Sequence, residues 1–97
     1  MPELSFANFQ DFAQEAKQHG FDTCLVRDWP ANTVVGTHTH DFSVWAYVAE
    51  GEMWLTVADQ TQHLVPGNFF SLDAAVPHAE RYGSQGAAFW VGRKKPS

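Results

Sequence analysis

The sequence predicts an all-β barrel or sandwich preceded by one short α-helix. Only one segment, near the N-terminus, has apolar residues at helical spacing. From Phe21 onward, short segments rich in β-branched and aromatic residues alternate with turn-forming residues. The chain has 97 residues, the size of one small domain. We therefore expect a single domain over 1–97, with the helix within 1–20 and the barrel over about 21–93.

A helix of about three turns is predicted to begin after Asn8. The Asn8 side chain suits an N-cap, and Asp11 follows three residues later in the first turn. The pattern ends at His19-Gly20, because glycine favours the position after a helix. The apolar side of this helix consists of Phe9, Phe12, Ala13 and Ala16.

About eight strands are predicted in the rest of the chain. They are Thr23–Asp28, Thr33–Thr37, Ser43–Ala49, Glu52–Ala58, Thr61–Val65, Asn68–Leu72, Pro77–Tyr82 and Ala87–Arg93. Glu50-Gly51 and Gly83–Gly86 are among the segments predicted to be turns, because glycine is common in turns. This number of strands with a single helix favours a barrel or sandwich over an α/β fold.

The charge balance is acidic. The chain has six Lys and Arg residues and eleven Asp and Glu residues, which gives a formal net charge of −5. Duplex nucleic acid and anionic membranes both attract clustered Lys and Arg, so we expect neither as a partner. The only basic run, Arg93-Lys94-Lys95, is predicted to be a solvated tail.

The composition also predicts a cytoplasmic protein. Cys24 is the only cysteine, so no internal disulfide can form. The start, Met1-Pro2-Glu3-Leu4, lacks the basic and apolar regions of a signal peptide. The chain also has no apolar run of about 18 residues, the length that a transmembrane helix needs.

Histidines provide the first indication of a site. In Gly36-Thr37-His38-Thr39-His40 the two histidines are two residues apart. On a strand they would project from the same face, about 7 Å apart at Cα, so that both imidazoles can converge on one ion. The alternative is a pair of unrelated surface histidines. A third histidine, His78, follows a turn and is predicted to lie near the start of a later strand.

At this point the chain resembles the small single-domain bacterial members of the cupin superfamily. The first cupin motif matches at His38, His40 and Gly51, and the second at Gly67 and His78. The resemblance runs from about Trp29 to Gly92 and implies a double-stranded β-helix, the jelly-roll barrel. The chain departs from the motifs at Asn32, Val44, Asp73, Ala75 and Tyr82. The glycine and proline replacements fall in turns and are expected to cost little.

The departure at Val44 matters most, because the first motif usually has its metal-binding glutamate there. By resemblance the remaining metal ligands are His38, His40 and His78. Iron, zinc, nickel, cobalt and copper accept three imidazoles, whereas manganese and magnesium depend more on a carboxylate. A divalent metal without an anionic protein ligand should attract a small anionic substrate. The alternative is a metal-free pocket that binds a small ligand by hydrogen bonds.

Two further residues are candidates for catalysis. If His78 points inward, strand alternation points Glu80 and Tyr82 inward as well. Glu80 could then act as a fourth ligand, as a hydrogen-bond acceptor for a ligand or as a general base, with Tyr82 as a nearby acid or base. The alternative is a twisted strand with a solvated Glu80.

The aromatic content, 14%, predicts a covered outer face. If Val44, Ala46 and Val48 face the cavity, Trp45 and Tyr47 face outward and form an apolar patch that needs a cover. A homodimer is the expected cover, and the N-terminal helix is the alternative.

The resemblance leaves two classes of function open. One is an enzyme, with a three-histidine site like that of cupin dioxygenases or of cupins that catalyse isomerisation with a metal as Lewis acid. The other is a non-catalytic module that binds or senses a small molecule. The substrate cannot be derived from the fold.

Overall fold

The computed structural model describes residues 6–95. The ends of the predicted domain 1–97, including Met1–Leu4, lie outside the described residues. The elements are α1 Phe9–Gln18, β1 Thr23–Trp29, β2 Val34–His38, β3 Ser43–Val57, β4 Gln60–Leu64, β5 Phe69–Leu72 and β6 His78–Lys94. All the strand pairs are antiparallel, as in a jelly-roll barrel. The predicted all-β class with one short helix is confirmed.

The helix α1 has the predicted ends. Asn8 caps it, since its side-chain oxygen accepts a hydrogen bond from the Asp11 backbone N–H at 2.9 Å. His19 is the C-cap, and Gly20 follows with φ +90°, a conformation that glycine adopts without strain. No helix within residues 6–95 is long and apolar enough to cross a membrane.

Two long strands, β3 and β6, pair along most of their length and form the centre of the sheet. The predicted turns at Glu50-Gly51 and Gly83–Gly86 are wrong, because both segments lie within these continuous strands. The strands bend there with shifts in register instead of reversing. Gly51 has φ +76°, and a Cβ at this position would overlap the carbonyl oxygen of Gly86. Within residues 6–95, six strands therefore replace the predicted eight.

Asn32 and Ala75 replace glycines of the cupin motifs, and both have a positive φ, in the left-handed region. Asn32 has φ 60° and Ala75 has φ 68°. Asparagine tolerates this conformation, but a Cβ on alanine makes it unfavourable by about 1 to 2 kcal/mol. The expectation that the replacement at Ala75 costs little is therefore wrong.

The two faces of β3 bury different clusters. Val44, Ala46 and Val48 lie in the barrel interior, as predicted. Trp45 and Tyr47 face outward and pack against α1, where the Phe12 and Trp45 rings stack 5.0 Å apart. The helix, the alternative cover, covers this face. A homodimer stays a prediction, and it would need another surface.

Neighbouring aromatic residues divide between the same two clusters. Phe70 and Phe89 point into the barrel interior, whereas Phe69 and Trp90 pack beneath α1. The aromatic surplus therefore fills both an inner wall and a second cluster under the helix.

Candidate metal centre

Three histidines meet on the inner face of the barrel. His38 ends β2, His40 follows in the next turn, and His78 begins β6. In the register of β2 and β6, His38 lies opposite His78. One extra residue in β2 between Val35 and His38 shifts this register, so that both Val35 and His38 face the cavity. The backbone N–H of Ala75 donates to the His40 carbonyl at 2.8 Å and joins the segment that contains His40 to the connection between β5 and β6.

We call His38, His40 and His78 the three-histidine cluster. The ring centroids are 4.3, 4.8 and 4.9 Å apart, and one nitrogen of each ring lies within 4.8 Å of the others. These nitrogens are close enough together to hold one metal ion. The alternative of two unrelated surface histidines at positions 38 and 40 does not hold.

Hydrogen bonds orient two of the rings. Nδ1 of His38 donates to the Gly36 carbonyl at 2.8 Å, and Nδ1 of His78 donates to the Val76 carbonyl at 2.9 Å. A carbonyl can only accept, so Nδ1 carries a proton in both rings, and in a neutral imidazole with that tautomer Nε2 has the free lone pair. The third ring, His40, stacks on Phe42 with the centroids 4.7 Å apart.

The chemistry of the cluster fits a bound metal. His78 Nε2 is buried and has no hydrogen-bond partner among residues 6–95, which is unfavourable for a polar atom unless a ligand satisfies it. Burial, the other two imidazoles and the nearby Arg93 and Arg27 lower the pKa of His40. This ring is therefore neutral at neutral pH, the form that binds metals.

Glu80 and Tyr82 lie beside the cluster, where strand alternation predicts them. Both are buried. Glu80 Oε2 lies 3.8 Å from His38 Nε2, and the Tyr82 hydroxyl donates to Glu80 Oε1 at 3.0 Å. Burial and the Glu80 carboxylate raise the pKa of Tyr82, so the hydroxyl stays protonated. The alternative of a solvated Glu80 is wrong.

The Glu80 carboxylate is a neighbour of the cluster. It does not belong to the set of ligand atoms that lie within 4.8 Å of one another. Its distance of 3.8 Å from His38 Nε2 is also too long for a direct hydrogen bond. Glu80 therefore lies beside the three-histidine cluster but outside its set of mutually close ligand atoms.

The cluster faces a cavity of about 100 Å³, which we call the inner cavity. Pockets for drug-sized ligands are about 300 Å³ or larger, so this cavity suits a much smaller molecule. Val44 is part of its wall, so no carboxylate comes from that position. A larger surface depression, about 720 Å³, lies between β4 and β5, and none of the predicted site residues lines it. The apolar lining of the inner cavity includes Val35, Phe42, Val44, Phe70, Leu72, Phe89 and Val91.

Two arginines that the sequence analysis did not assign to the site also line the inner cavity. Arg27 lies on β1 and Arg93 near the end of β6. The prediction of a solvated tail is wrong for Arg93, because β6 continues to Lys94 and buries the Arg93 Nε atom. Phe89, Val91 and Arg93 all line the cavity, and this period of two is the signal that could have identified Arg93.

Together, the barrel and the inward histidines define a jelly-roll protein with a candidate metal centre. The family described as "Cupin domain" matches residues 25–91. The chain therefore belongs to the cupin family. No match is found among curated proteins.

Solved structures of other cupins have the same fold. A variant of the oxalate decarboxylase of Bacillus subtilis has a TM-score of 0.68 and 18% identity, over 74% of this chain and 20% of that one. The cupin domain of Schizosaccharomyces pombe Cnp3 has a TM-score of 0.69 and 12% identity, over 75% and 52%. A structure from a study of the DMSP lyases RdDddP and RnDddQII has a TM-score of 0.68 and 21% identity, over 73% and 37%. The chain thus aligns with only part of each relative.

Proposed function

We propose that this chain is a metal-dependent enzyme that moves a proton on a small anionic organic molecule. His38, His40 and His78 would hold a divalent transition metal. Glu80 would accept and return the proton, with Tyr82 holding its carboxylate. The observation that carries the proposal is the distance of 3.8 Å between Glu80 Oε2 and His38 Nε2, inside one small cavity.

The donor set favours iron, zinc, nickel, cobalt or copper. The oxalate decarboxylase of Bacillus subtilis has been studied for its Mn(II) centers. This chain has Val44 in the inner wall and no carboxylate within the ligand set, so its donors are nitrogen atoms that suit later transition metals better than manganese. When bound, the metal would act as a Lewis acid toward a carbonyl or carboxylate oxygen of the substrate.

The protein's own residues supply the rest of the chemistry. An ionised carboxylate accepts hydrogen bonds and donates none, and the Tyr82 hydroxyl already donates to one oxygen of Glu80, Oε1. The other oxygen, Oε2, faces His38 and is the one available to a substrate proton. The apolar part of the wall lowers the local dielectric constant, which strengthens the interaction between charges inside the cavity.

Isomerisation by proton transfer is the reaction class that we favour over dioxygenation. A buried proton acceptor beside the cluster serves a proton transfer directly. Binding of dioxygen and substrate at open metal positions alone would not require one. The non-catalytic binding or sensor function remains the alternative from another class.

Exchange of carbon-bound hydrogen tests the proposal. We suggest loading the protein with Zn²⁺ or Fe²⁺ and incubating it in D₂O with pyruvate, acetylacetone and other small acids and diketones. We expect deuterium to enter one of these compounds, as measured by mass spectrometry, at a rate that depends on Glu80. Tight binding without exchange, turnover or oxygen uptake would favour the binding module, and oxygen uptake with Fe²⁺ alone would favour a dioxygenase.

We further propose a cytoplasmic location. The support is chemical, since Cys24 is the only cysteine in the chain and is a free thiol in the structure.

A further inference from the structure

We propose that Arg27 and Arg93 bind the carboxylate of a small organic acid inside the inner cavity, next to the three-histidine cluster. This inference rests on the proposed function, because the acid would be its substrate. It names the chemical group that the substrate carries and the two side chains that recognise it.

The first support is unbalanced positive charge. Arg27 and Arg93 lie on neighbouring strands, β1 and β6, and both line the inner cavity. Within residues 6–95, neither guanidinium has a carboxylate within 4.0 Å, since the ion pairs found there all join histidine to glutamate. Burial and the nearby Arg27 lower the pKa of Arg93, as expected for two cations that share a small space. An anion between them would relieve this repulsion.

The second support is a set of unsatisfied donors. Three buried side-chain nitrogens in the described part of the chain have no hydrogen-bond partner, namely Trp29 Nε1, His78 Nε2 and Arg93 Nε. All three belong to residues that line the inner cavity. A metal would satisfy the lone pair of His78 Nε2. The indole and guanidinium nitrogens can only donate, so they require an acceptor such as a carboxylate oxygen.

The stacking of the two guanidinium groups favours a planar acceptor. The guanidinium carbon of Arg93 lies 4.6 Å from the Phe42 ring centroid, and that of Arg27 lies 5.0 Å from the Trp29 centroid. An aromatic ring therefore covers a face of each group, and the N–H groups at the edge remain for a ligand. Two parallel N–H groups match the two oxygens of a carboxylate.

The wall opposite Arg93 indicates that the anion comes from the ligand. In the register of β3 and β6, Val44 lies across from Arg93. Val44 is apolar, and Phe70 and Phe89 extend the apolar wall. A hydrocarbon chain can contact this wall, whereas an inorganic anion such as phosphate gains nothing from it. With about 100 Å³ available, the organic acid must be small.

Butyrate binding tests the proposal. We suggest calorimetric titration of butyrate into Zn²⁺-loaded and metal-free protein, with Arg27→Gln and Arg93→Gln as test variants. Arg81→Gln is the matched control, because the Arg81 guanidinium stacks on Trp54, 4.0 Å from its centroid, and does not line the inner cavity. Thermal unfolding verifies that each variant is folded. The neutral analogue butyramide and inorganic phosphate complete the set of probes.

We expect butyrate to bind, each test variant to weaken binding about tenfold or more, and Arg81→Gln to leave it unchanged. The indole N–H resonance of Trp29 should shift when butyrate binds, and butyramide and phosphate should bind much more weakly. Equal binding of butyrate by the wild type and both test variants would overturn the inference. Equal binding of butyrate and butyramide, or of butyrate and phosphate, would also overturn it.

The same titrations separate this inference from the proposed function. Normal zinc content together with arginine-independent butyrate binding would refute the inference alone. Arginine-dependent butyrate binding by a protein that takes up no metal would refute the proposed metal-dependent enzyme and leave the inference intact.

Discussion

The Glu80 carboxylate lies 3.8 Å from Nε2 of His38, inside the barrel. This distance joins the candidate metal centre to a candidate proton acceptor. The Tyr82 hydroxyl donates to the other oxygen of the same carboxylate, which holds its orientation. A buried acid in this position is costly to maintain unless it has partners or a role. Glu80 and His38 are therefore the residues on which the proposed proton transfer depends most directly.

Glu80→Gln should abolish proton exchange and retain the metal. Glutamine keeps the shape and the hydrogen bond with Tyr82 but cannot accept a substrate proton. We expect the deuterium incorporation rate to fall about a hundredfold or more, within the range for general bases. Elemental analysis should give the same metal content as the wild type. A rate unchanged by the substitution would exclude Glu80 as the base, and lost metal would make it a ligand.

Val44→Glu should weaken butyrate binding by the metal-free protein, in which the new carboxylate cannot serve as a metal ligand. The new carboxylate would lie across from Arg93 and occupy the guanidinium that we assign to the ligand. Val44→Gln is the matched control, because it has a similar shape without the charge. Calorimetry should give a clearly larger loss of affinity for the glutamate variant. Equal affinities for the two variants would argue against an anion site at Arg93.

Phe12→Ala should destabilise the protein by about 3 to 5 kcal/mol, a typical cost for a buried aromatic residue. Phe12 lies on the inner side of α1, is fully buried and stacks on Trp45. Urea unfolding measures the change, and Gln14→Ala on the exposed side of the helix should alter stability by less than about 0.5 kcal/mol. Equal stability of the Phe12 variant and the wild type would mean that the helix does not cover this face.

Ala75→Gly should stabilise the protein by about 0.5 to 1 kcal/mol. Glycine removes the strain of a Cβ at φ 68°, and this gain exceeds the added entropy of the unfolded chain. The neighbouring Ala74 does not have a positive φ, so Ala74→Gly should destabilise by a similar amount. Chemical unfolding of both variants gives the comparison. A loss of stability at position 75 would contradict the strain argument.

Local patterns predicted those parts of the molecule that depend on a few adjacent residues. The cap at Asn8 predicted where α1 begins, and the alternation in His38 and His40 predicted a shared face. Glu80 followed from His78 by the same period of two. The cap and the position of Glu80 depend on backbone geometry within a single element, which the sequence encodes directly, whereas His40 lies just beyond the end of β2.

Features that depend on register could not be predicted in this way. The extra residue between Val35 and His38 and the bend at Gly51 exist because one strand accommodates another far away in sequence. Arg93 was not predicted to line the cavity, because the run of three basic residues is typical of a solvated tail. Pairing between β6 and β3 instead buries part of its side chain.

A metal located by anomalous diffraction tests the central claim most directly. Crystals of Zn²⁺- or Co²⁺-loaded protein should give one strong peak between the imidazoles of His38, His40 and His78. His38→Ala and His78→Ala should remove most of the metal measured by elemental analysis. His63→Ala is the control, because the His63 ring is exposed and its Nε2 lies 2.8 Å from Glu52 Oε2. This variant should keep the metal content of the wild type. Unchanged metal content in both test variants, or a peak only at another site, would contradict the account.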